Sequence, residues 1–493
     1  MAFGSIYKFS RRIITFSPKY RFQKKMLAIK IFILLAFSNT LKAQNDTING
    51  FAPSYKNVSI NIFKQSNPFY DDTIVIKKIK PDTSGFFTFT LNVPKTTYLL
   101  LDLDYYQCYF YLRPNTNYTI ILPKRKKTTL EQKISPFFMP IILPVIVKKP
   151  NNNLNNAIAD FSKLYSEELK ITLKNKNYYD SALYRLKQFN PLKDTFFNTY
   201  KKYKIALFKY YILPEKNKKL IKNYLANQPI YYNNPAYISF FNSVIENIFS
   251  KDNSYVNIKN VYHALKTNNL ELLKNTVKET ELFGDNPELI ELVICKGLYD
   301  LYYDLPPAQN DIIKMIALLS ETSSYTQIRK YAQLLYQHFT TLKVDYPAPE
   351  FSLPNKKHKL KSLADFQKKF IYLQFCNPAS YACQKQMPLL KKYYKTKPKN
   401  LEIITIFVAD TIEKMKKFIS NKKYKWVFLF WNKDYKLLKK YNIKTYPTYY
   451  LIYPDGTLAL NPAPTPEENL QEAFADIYKK WKNKKHKTFK ENN

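Results

Sequence analysis

Apolar and polar positions alternate in short runs over residues 44–123, as in Val58-Ser59-Ile60-Asn61-Ile62. Turn residues separate these runs, for example Asp82-Thr83-Ser84-Gly85. A period of two predicts strands that have one solvated face, and Asp, Ser and Gly favour the turns between them. We therefore expect a small antiparallel β-sandwich in this segment.

The period becomes helical over residues 154–343. Asn286-Pro287 predicts a helix start, because Asn can cap a helix and Pro suits its first position. After that start, apolar side chains share one helix face: Ile290, Val293, Ile294, Leu298 and Leu301. We expect an all-α region of roughly six to nine helices. Residues 124–153, which hold a basic run and a proline-spaced stretch, are expected to form a connector.

Strand and helix patterns alternate over residues 344–482. Strands are predicted at 369–375, 401–408, 427–431, 449–453 and 457–460, and helices at 384–394, 411–420 and 466–481. This β-α-β-α-β-β-α order predicts helices packed over a mixed sheet. Residues 483–493 are expected to be a basic tail.

The first 43 residues are predicted to be an N-terminal extension and a signal peptide. Lys24 and Lys25 precede Met26, an apolar run covers Ile31–Phe37, and a small residue stands at Ala43. This order is typical of a secretory signal cleaved after Ala43, and the apolar run is short for a membrane span. We expect export to the periplasm or cell envelope. An uncleaved anchor and a true start at Met26 remain open.

The formal net charge of +40 raises the question of nucleic-acid binding. The lysines are spread along every segment, and arginine, which reads base edges best, is scarce. We therefore expect no nucleic-acid partner. Attraction to anionic lipid fits the charge equally well, so peripheral membrane association stays open. No Cys/His spacing suggests zinc, and no cofactor or metal is expected.

Candidate chemistry lies in the stretch CNPASYAC, Cys376 to Cys383, directly after the predicted strand FIYLQF. The chain has four cysteines, which are too few for a disulfide-stapled scaffold. Cys108 and Cys295 lie within apolar patterns and are expected to be buried, inert thiols.

Residues 344–481 resemble the thioredoxin-like domain of TlpA/ResA-type envelope thiol–disulfide oxidoreductases. The motifs that carry the resemblance are Ala348-Pro349-x-Phe351, the strand running into the cysteine turn, Cys383 with Pro388, and Tyr446-Pro447-Thr448 followed by Asp455-Gly456. The order of the whole chain also resembles multi-domain redoxins of Bacteroidetes. The resemblance implies a thioredoxin fold, a cis Tyr446–Pro447 bond, substrate binding at Tyr446 and Pro447, and protein thiols or disulfides in the envelope as partners.

The turn departs from the family motif Cys-x-x-Cys, because Ser380 stands three residues before Cys383. A serine hydroxyl needs a dedicated base to act as a nucleophile, and one thiol alone cannot complete the exchange cycle. The resemblance therefore implies a degenerate site: Cys383 as reactive thiol, Ser380 as hydrogen-bond donor to it. Cys376 is either a disulfide partner of Cys383 or a packing residue.

Two functional hypotheses follow. The first is a thiol–disulfide oxidoreductase with weakened or altered activity, and the second is a thioredoxin-fold protein that only binds an unidentified protein partner. A peroxiredoxin-type peroxidase is disfavoured, since Pro378 has the wrong spacing from Cys383 and no arginine follows Arg329 to stabilise a thiolate.

Overall fold

The structure, a computed structural model, describes residues 46–491 except 130, 133–134, 136–137, 152, 215–216 and 251–254, and it leaves out the side chains from 485 onward. The predicted signal peptide, the cleavage after Ala43 and the start at Met26 lie outside the described residues. Within them, no helix has the length and apolar character that crossing a membrane requires.

Two sheets share one core in the N-terminal part. Their strands are β1 Asp46–Phe51, β2 Ile60–Gln65, β3 Thr73–Ile79, β4 Phe86–Leu91, β5 Thr97–Leu103, β6 Tyr106–Leu112, β7 Tyr118–Ile121, β8 Ile141–Pro144 and β9 Ile146–Lys149. One sheet has the order β4-β1-β7-β9 and the other β3-β2-β5-β6-β8. Side chains of both sheets, such as Ile48 and Phe110, are fully buried in the same cluster, so the sheets form a sandwich.

The expectation of a wholly antiparallel sandwich is wrong, because β1 pairs with β7 and β6 pairs with β8 in parallel. Strand β1 was not predicted. Strands β8 and β9 come from the predicted connector, and each adds an edge strand to a different sheet. Pro144 suits such an edge, since proline cannot donate a ladder hydrogen bond. The sheets thus extend past the predicted boundary at residue 123.

Ten α-helices follow within the described residues: α1 Leu154–Lys174, α2 Tyr179–Gln188, α3 Thr195–Ile212, α4 Asn217–Tyr224, α5 Pro235–Ile245, α6 Ile258–Lys266, α7 Leu270–Lys278, α8 Pro287–Asp304, α9 Gln309–Thr322 and α10 Thr326–Thr340. The predicted start at Asn286-Pro287 is confirmed, because α8 begins at Pro287 and the Asn286 side chain accepts the Leu289 N–H. This region is joined to the sandwich by Asn155, whose amide bonds both backbone groups of Tyr111.

The C-terminal part forms a thioredoxin-like fold. Its elements are β10 Ser352–Pro354, β11 Leu360–Ser362, β12 Phe370–Cys376, α11 Tyr381–Thr396, β13 Leu401–Phe407, α12 Ile412–Lys422, β14 Val427–Phe430, α13 Tyr435–Lys440, β15 Thr448–Ile452, β16 Leu458–Leu460 and α14 Leu470–Glu491. The sheet order is β14-β13-β12-β15-β16, with the first three strands parallel and the last two antiparallel. Strand β12 is central and buried along its whole length. The predicted element order is present, with the strand pair β10–β11 and the short helix α13 added.

Candidate thiol site

The candidate site lies at the carboxyl end of the central strand, where ligand and active sites of open α/β sheets form. Strand β12 ends at Cys376, a short turn follows, and Ser380 caps the start of α11. Cys383 lies in the first turn of α11, and Pro388 lies inside the same helix. A strand that leads directly into a helix therefore brings both cysteines to one end of the sheet.

Ser380 joins the start of α11 to the loop before β15. Its Oγ accepts the Cys383 backbone N–H at 3.5 Å and donates to the Tyr446 carbonyl at 2.8 Å. The Tyr446–Pro447 bond is cis, as predicted. The expected role of Ser380 as donor to the Cys383 thiol is wrong, because its hydroxyl hydrogen is directed to Tyr446. Ser380 thus has a capping and tethering role in this structure.

Both thiols of the site are fully buried and reduced. Cys376 lies close enough to Cys383 for the two side chains to interact electrostatically. Burial first, and then the neighbouring Cys383 side chain, raise the pKa of Cys376 well above its ordinary value. The structure therefore places the two predicted cysteines near each other in the interior, and neither presents its sulfur to solvent.

Tyrosine side chains surround the thiol pair. Burial, and to a lesser degree the neighbouring Cys383, raises the pKa of Tyr446. Its hydroxyl is buried and has no hydrogen-bond partner among the described residues. Tyr381, which begins α11, is 80% exposed, and Pro447 is partly exposed. Buried sulfurs thus lie next to tyrosine side chains, while Tyr381 and Pro447 provide exposed surface nearby in the chain.

A buried chain of hydrogen bonds lies beside the thiols, and the sequence argument missed it. The Trp426 indole donates to Thr405 Oγ1 at 2.9 Å, and Thr405 donates to Gln374 Oε1 at 2.8 Å. Gln374 Nε2 then donates to the Tyr449 hydroxyl at 2.9 Å, which donates to Gln386 Oε1 at 2.7 Å. Indole is a donor only, so the chain has one direction.

This chain connects the two elements that carry the cysteines. Gln374 precedes Cys376 by two residues on β12, so their side chains share one face of the sheet. Gln386 follows Cys383 by three residues on α11, so both lie on one helix face. Polar residues within the apolar runs FIYLQFC and LEIITIF were the available signal. None of the five side chains titrates near neutral pH, so the chain orients groups and supplies no general base.

Comparison with known proteins supports the thioredoxin-like interpretation of the C-terminal part. Residues 344–460 match the AhpC/TSA family. The thiol-disulfide oxidoreductase ResA of Bacillus thuringiensis subsp. konkukian is 30% identical over 127 residues, which cover 25% of this chain and 73% of the relative. The chain belongs to the ResA-type thiol–disulfide oxidoreductase family. The matching protein of Bacillus cereus is 29% identical over the same length.

Solved structures also resemble a part of this ResA-type chain. The thioredoxin domain of a thiol-disulfide oxidoreductase from Bacteroides vulgatus is 25% identical, covers 28% of this chain and 99% of its own, and has a TM-score of 0.26. A thiol:disulfide interchange protein from a Bacteroides species is 26% identical, covers 26% of this chain and 85% of its own, and has a TM-score of 0.24.

Proposed function

We propose that this protein is a thiol–disulfide oxidoreductase of weakened activity that works through Cys376 and Cys383. The observation that carries the proposal is the proximity of two reduced thiols inside the ResA-type domain. Two neighbouring cysteines can form a disulfide when their Cα atoms come within about 7 Å. A cysteine that only filled a packing slot would not need a thiol partner.

The proposed exchange uses a disulfide of another envelope protein as oxidant. The deprotonated sulfur of Cys383 attacks one sulfur of that disulfide, which forms a mixed disulfide and releases the partner's other sulfur as a thiolate. Cys376 then loses its proton and attacks Cys383 in the mixed disulfide, which releases the second partner thiolate. The products are a Cys376–Cys383 disulfide and a reduced partner. The reverse sequence would oxidise a dithiol partner.

Weak activity follows from burial and from Ser380. Both sulfurs have no exposed surface, so a partner reaches Cys383 only when the start of α11 separates from the Tyr446 loop. We propose that Ser380 stands in the place of the family's first cysteine, so the turn offers no exposed thiol for the first attack.

We further propose that the protein acts in the periplasm or cell envelope, after export through the predicted signal. Its partners would be protein thiols and disulfides, together with a peripheral association with the membrane surface. The pattern over residues 1–43 supports the proposed export. The family supports an oxidising compartment, because disulfides form and persist there.

One specific observation favours a second candidate, a protein that binds and does not exchange. Neither thiol is exposed, whereas Tyr381 is 80% exposed and follows Ser380, which bonds the carbonyl of the partly exposed Tyr446. Exposed aromatic side chains are typical of protein-binding surfaces. In this case Cys376 and Cys383 would serve as core residues only.

An insulin-reduction assay tests the proposal on three proteins: wild type, Cys383→Ala and Cys108→Ala. Cys108 is the matched control, since it is an equally buried cysteine in the sandwich. We expect a slow rate for wild type, the same rate for Cys108→Ala, and no rate above background for Cys383→Ala. Equal background rates for all three proteins would reject thiol exchange and leave the binding role.

A further inference from the structure

Four apolar residues form a continuous row across one end of the sheet β4-β1-β7-β9. Phe86 pairs with Phe51, Phe51 pairs with Ile121, and Ile121 pairs with Ile146. Each strand of the sheet contributes one member, so the row crosses the full width of the sheet. We name Phe86, Phe51, Ile121 and Ile146 the outer row.

The outer row lies on the face that points away from the sandwich core. Phe86 is 58% exposed and Ile146 is 52% exposed, whereas their chain neighbours Phe87 and Val147 are buried. The rings of Phe86 and Phe51 pack with their centroids 4.8 Å apart. Within the described residues, these side chains therefore form an apolar surface open to solvent.

The apolar surface is confined to this end of the sheet and continues around its edge. The next outward positions are polar, and Thr88 Oγ1 donates to Asn49 Oδ1 across the strands. Beyond Ile146, the exposed positions Pro144 and Ile142 alternate with the less exposed Val145 and Leu143. This face of the sheet therefore changes from polar at one end of its strands to apolar at the other.

Cations dominate the loops at the same end. Backbone hydrogen bonds from Ala52 to Gly85 and from Leu122 to Phe51 bring the segments 52–56, 80–85 and 122–127 together there. These segments carry Lys56, Lys80, Lys124, Arg125, Lys126 and Lys127. Their acidic residue is Asp82, whose carboxylate accepts the backbone N–H groups of Ser84 and Phe86. Arg125 is paired with the Asp104 carboxylate at 2.6 Å. An exposed apolar row is thus bordered by six cations, of which one is neutralised by Asp104, and by the carboxylate of Asp82.

We propose that the outer row docks onto an anionic lipid bilayer. The apolar side chains would enter the boundary between headgroups and acyl chains, and the surrounding lysines would remain at the level of the anionic headgroups. A lipid surface provides both the apolar layer and the negative charge, and it requires no shape complementarity from a sheet end. This docking does not depend on the thiol chemistry, which takes place in another part of the chain.

A site-specific fluorophore tests the docking on the full chain. All four native cysteines are buried, so a polarity-sensitive maleimide dye would label an introduced Ile146→Cys. Leu173→Cys is the matched control, since Leu173 is 57% exposed on α1 and lies in the helical region. Labelled proteins are mixed with vesicles of phosphatidylcholine alone or of phosphatidylcholine and phosphatidylglycerol in equal amounts.

We expect the emission of the dye at 146 to shift to the blue with the anionic vesicles, and the dye at 173 to show no shift. Phe86→Ser should lower the vesicle partition coefficient about tenfold, since a large apolar side chain would be lost from the bound surface. Lys124→Gln with Lys127→Gln should weaken binding to anionic vesicles only.

Three results would overturn the docking. The first is no shift at 146 with anionic vesicles, even if the chain sediments with them through another segment. The second is an equal shift at 146 and 173. The third is a concentration-dependent shift at 146 without vesicles, which would mean that a second copy of the chain covers the outer row.

Discussion

Replacing Ser380 with cysteine should restore fast thiol exchange. In the wild type, a reagent reaches Cys383 only after the hydrogen bond between Ser380 and the Tyr446 carbonyl is broken and two fully buried thiols are exposed. One hydrogen bond contributes about 1 kcal/mol. Each small buried thiol side chain contributes about 1 kcal/mol more. An opening free energy of about 3 kcal/mol leaves on the order of one molecule in a hundred reactive.

Ser380→Cys places a thiol at the partly exposed cap of α11, within one helical turn of Cys383. We expect its initial reaction with Ellman's reagent, and its rate of insulin reduction, to exceed the wild-type values on the order of a hundredfold. The matched control is Ser380→Ala, which loses the same cap and tether but gains no thiol. It should unfold about 1 kcal/mol more easily and react less than about tenfold faster than wild type.

The comparison of these two variants decides the reasoning. If Ser380→Cys is no faster than Ser380→Ala while both are folded, an exposed thiol at the turn is not what the wild type lacks. If native wild type already reacts as fast as the denatured protein, the opening free energy worked out from the buried contacts is wrong.

Two further predictions concern stability. Tyr449→Phe should lower the free energy of unfolding by about 1–3 kcal/mol, because it leaves the buried Gln374 Nε2 and the partly buried Gln386 Oε1 without their hydroxyl partner. Tyr446→Phe removes a buried hydroxyl that has no partner among the described residues, and it should be neutral within about 0.5 kcal/mol. Urea unfolding measures both, and equal losses would contradict the importance of the hydrogen-bond chain. Burial raises the pKa of Cys108 to about 12 from 9.0, so the folded state keeps a proton that the unfolded state loses, and stability falls as pH rises through this window. In Cys108→Ala, the free energy of unfolding should therefore fall less steeply with pH, by up to about 1.4 kcal/mol per pH unit between pH 9 and about 11. An unchanged pH dependence would show that this thiol does not contribute.

The sequence predicted the thioredoxin-like domain well because its strands and helices carry strong, separate periods. The start of α8 was also predictable, since Asn286 and Pro287 act locally. The pairing partners of strands could not be predicted from local sequence patterns. The proline-spaced stretch 136–150 reads as a loop by itself, and only the edges of the two completed sheets make Ile141–Pro144 and Ile146–Lys149 into strands.

The chemistry of the site was only partly predicted, because it too depends on contacts between distant parts of the chain. Cys376 was predicted as either a disulfide partner of Cys383 or a packing residue, because its proximity to Cys383 depends on how the turn after β12 folds back onto α11. The direction of the Ser380 hydroxyl was missed, because its acceptor, the Tyr446 carbonyl, lies 66 residues later in the chain. The chain from Trp426 to Gln386 was missed because it exists only once three strands, one helix and the loop before β14 have packed.

The most direct test of a Cys376–Cys383 redox centre is peptide mapping after mild oxidation of the native protein with oxidised glutathione. We predict that the tryptic peptide that carries both Cys376 and Cys383 is recovered with the loss of two hydrogens, and that dithiothreitol restores its mass. Cys108 and Cys295 should remain reduced, because each is buried alone. Recovery of Cys376 and Cys383 as free thiols, with the protein folded and the oxidant in excess, would contradict the account.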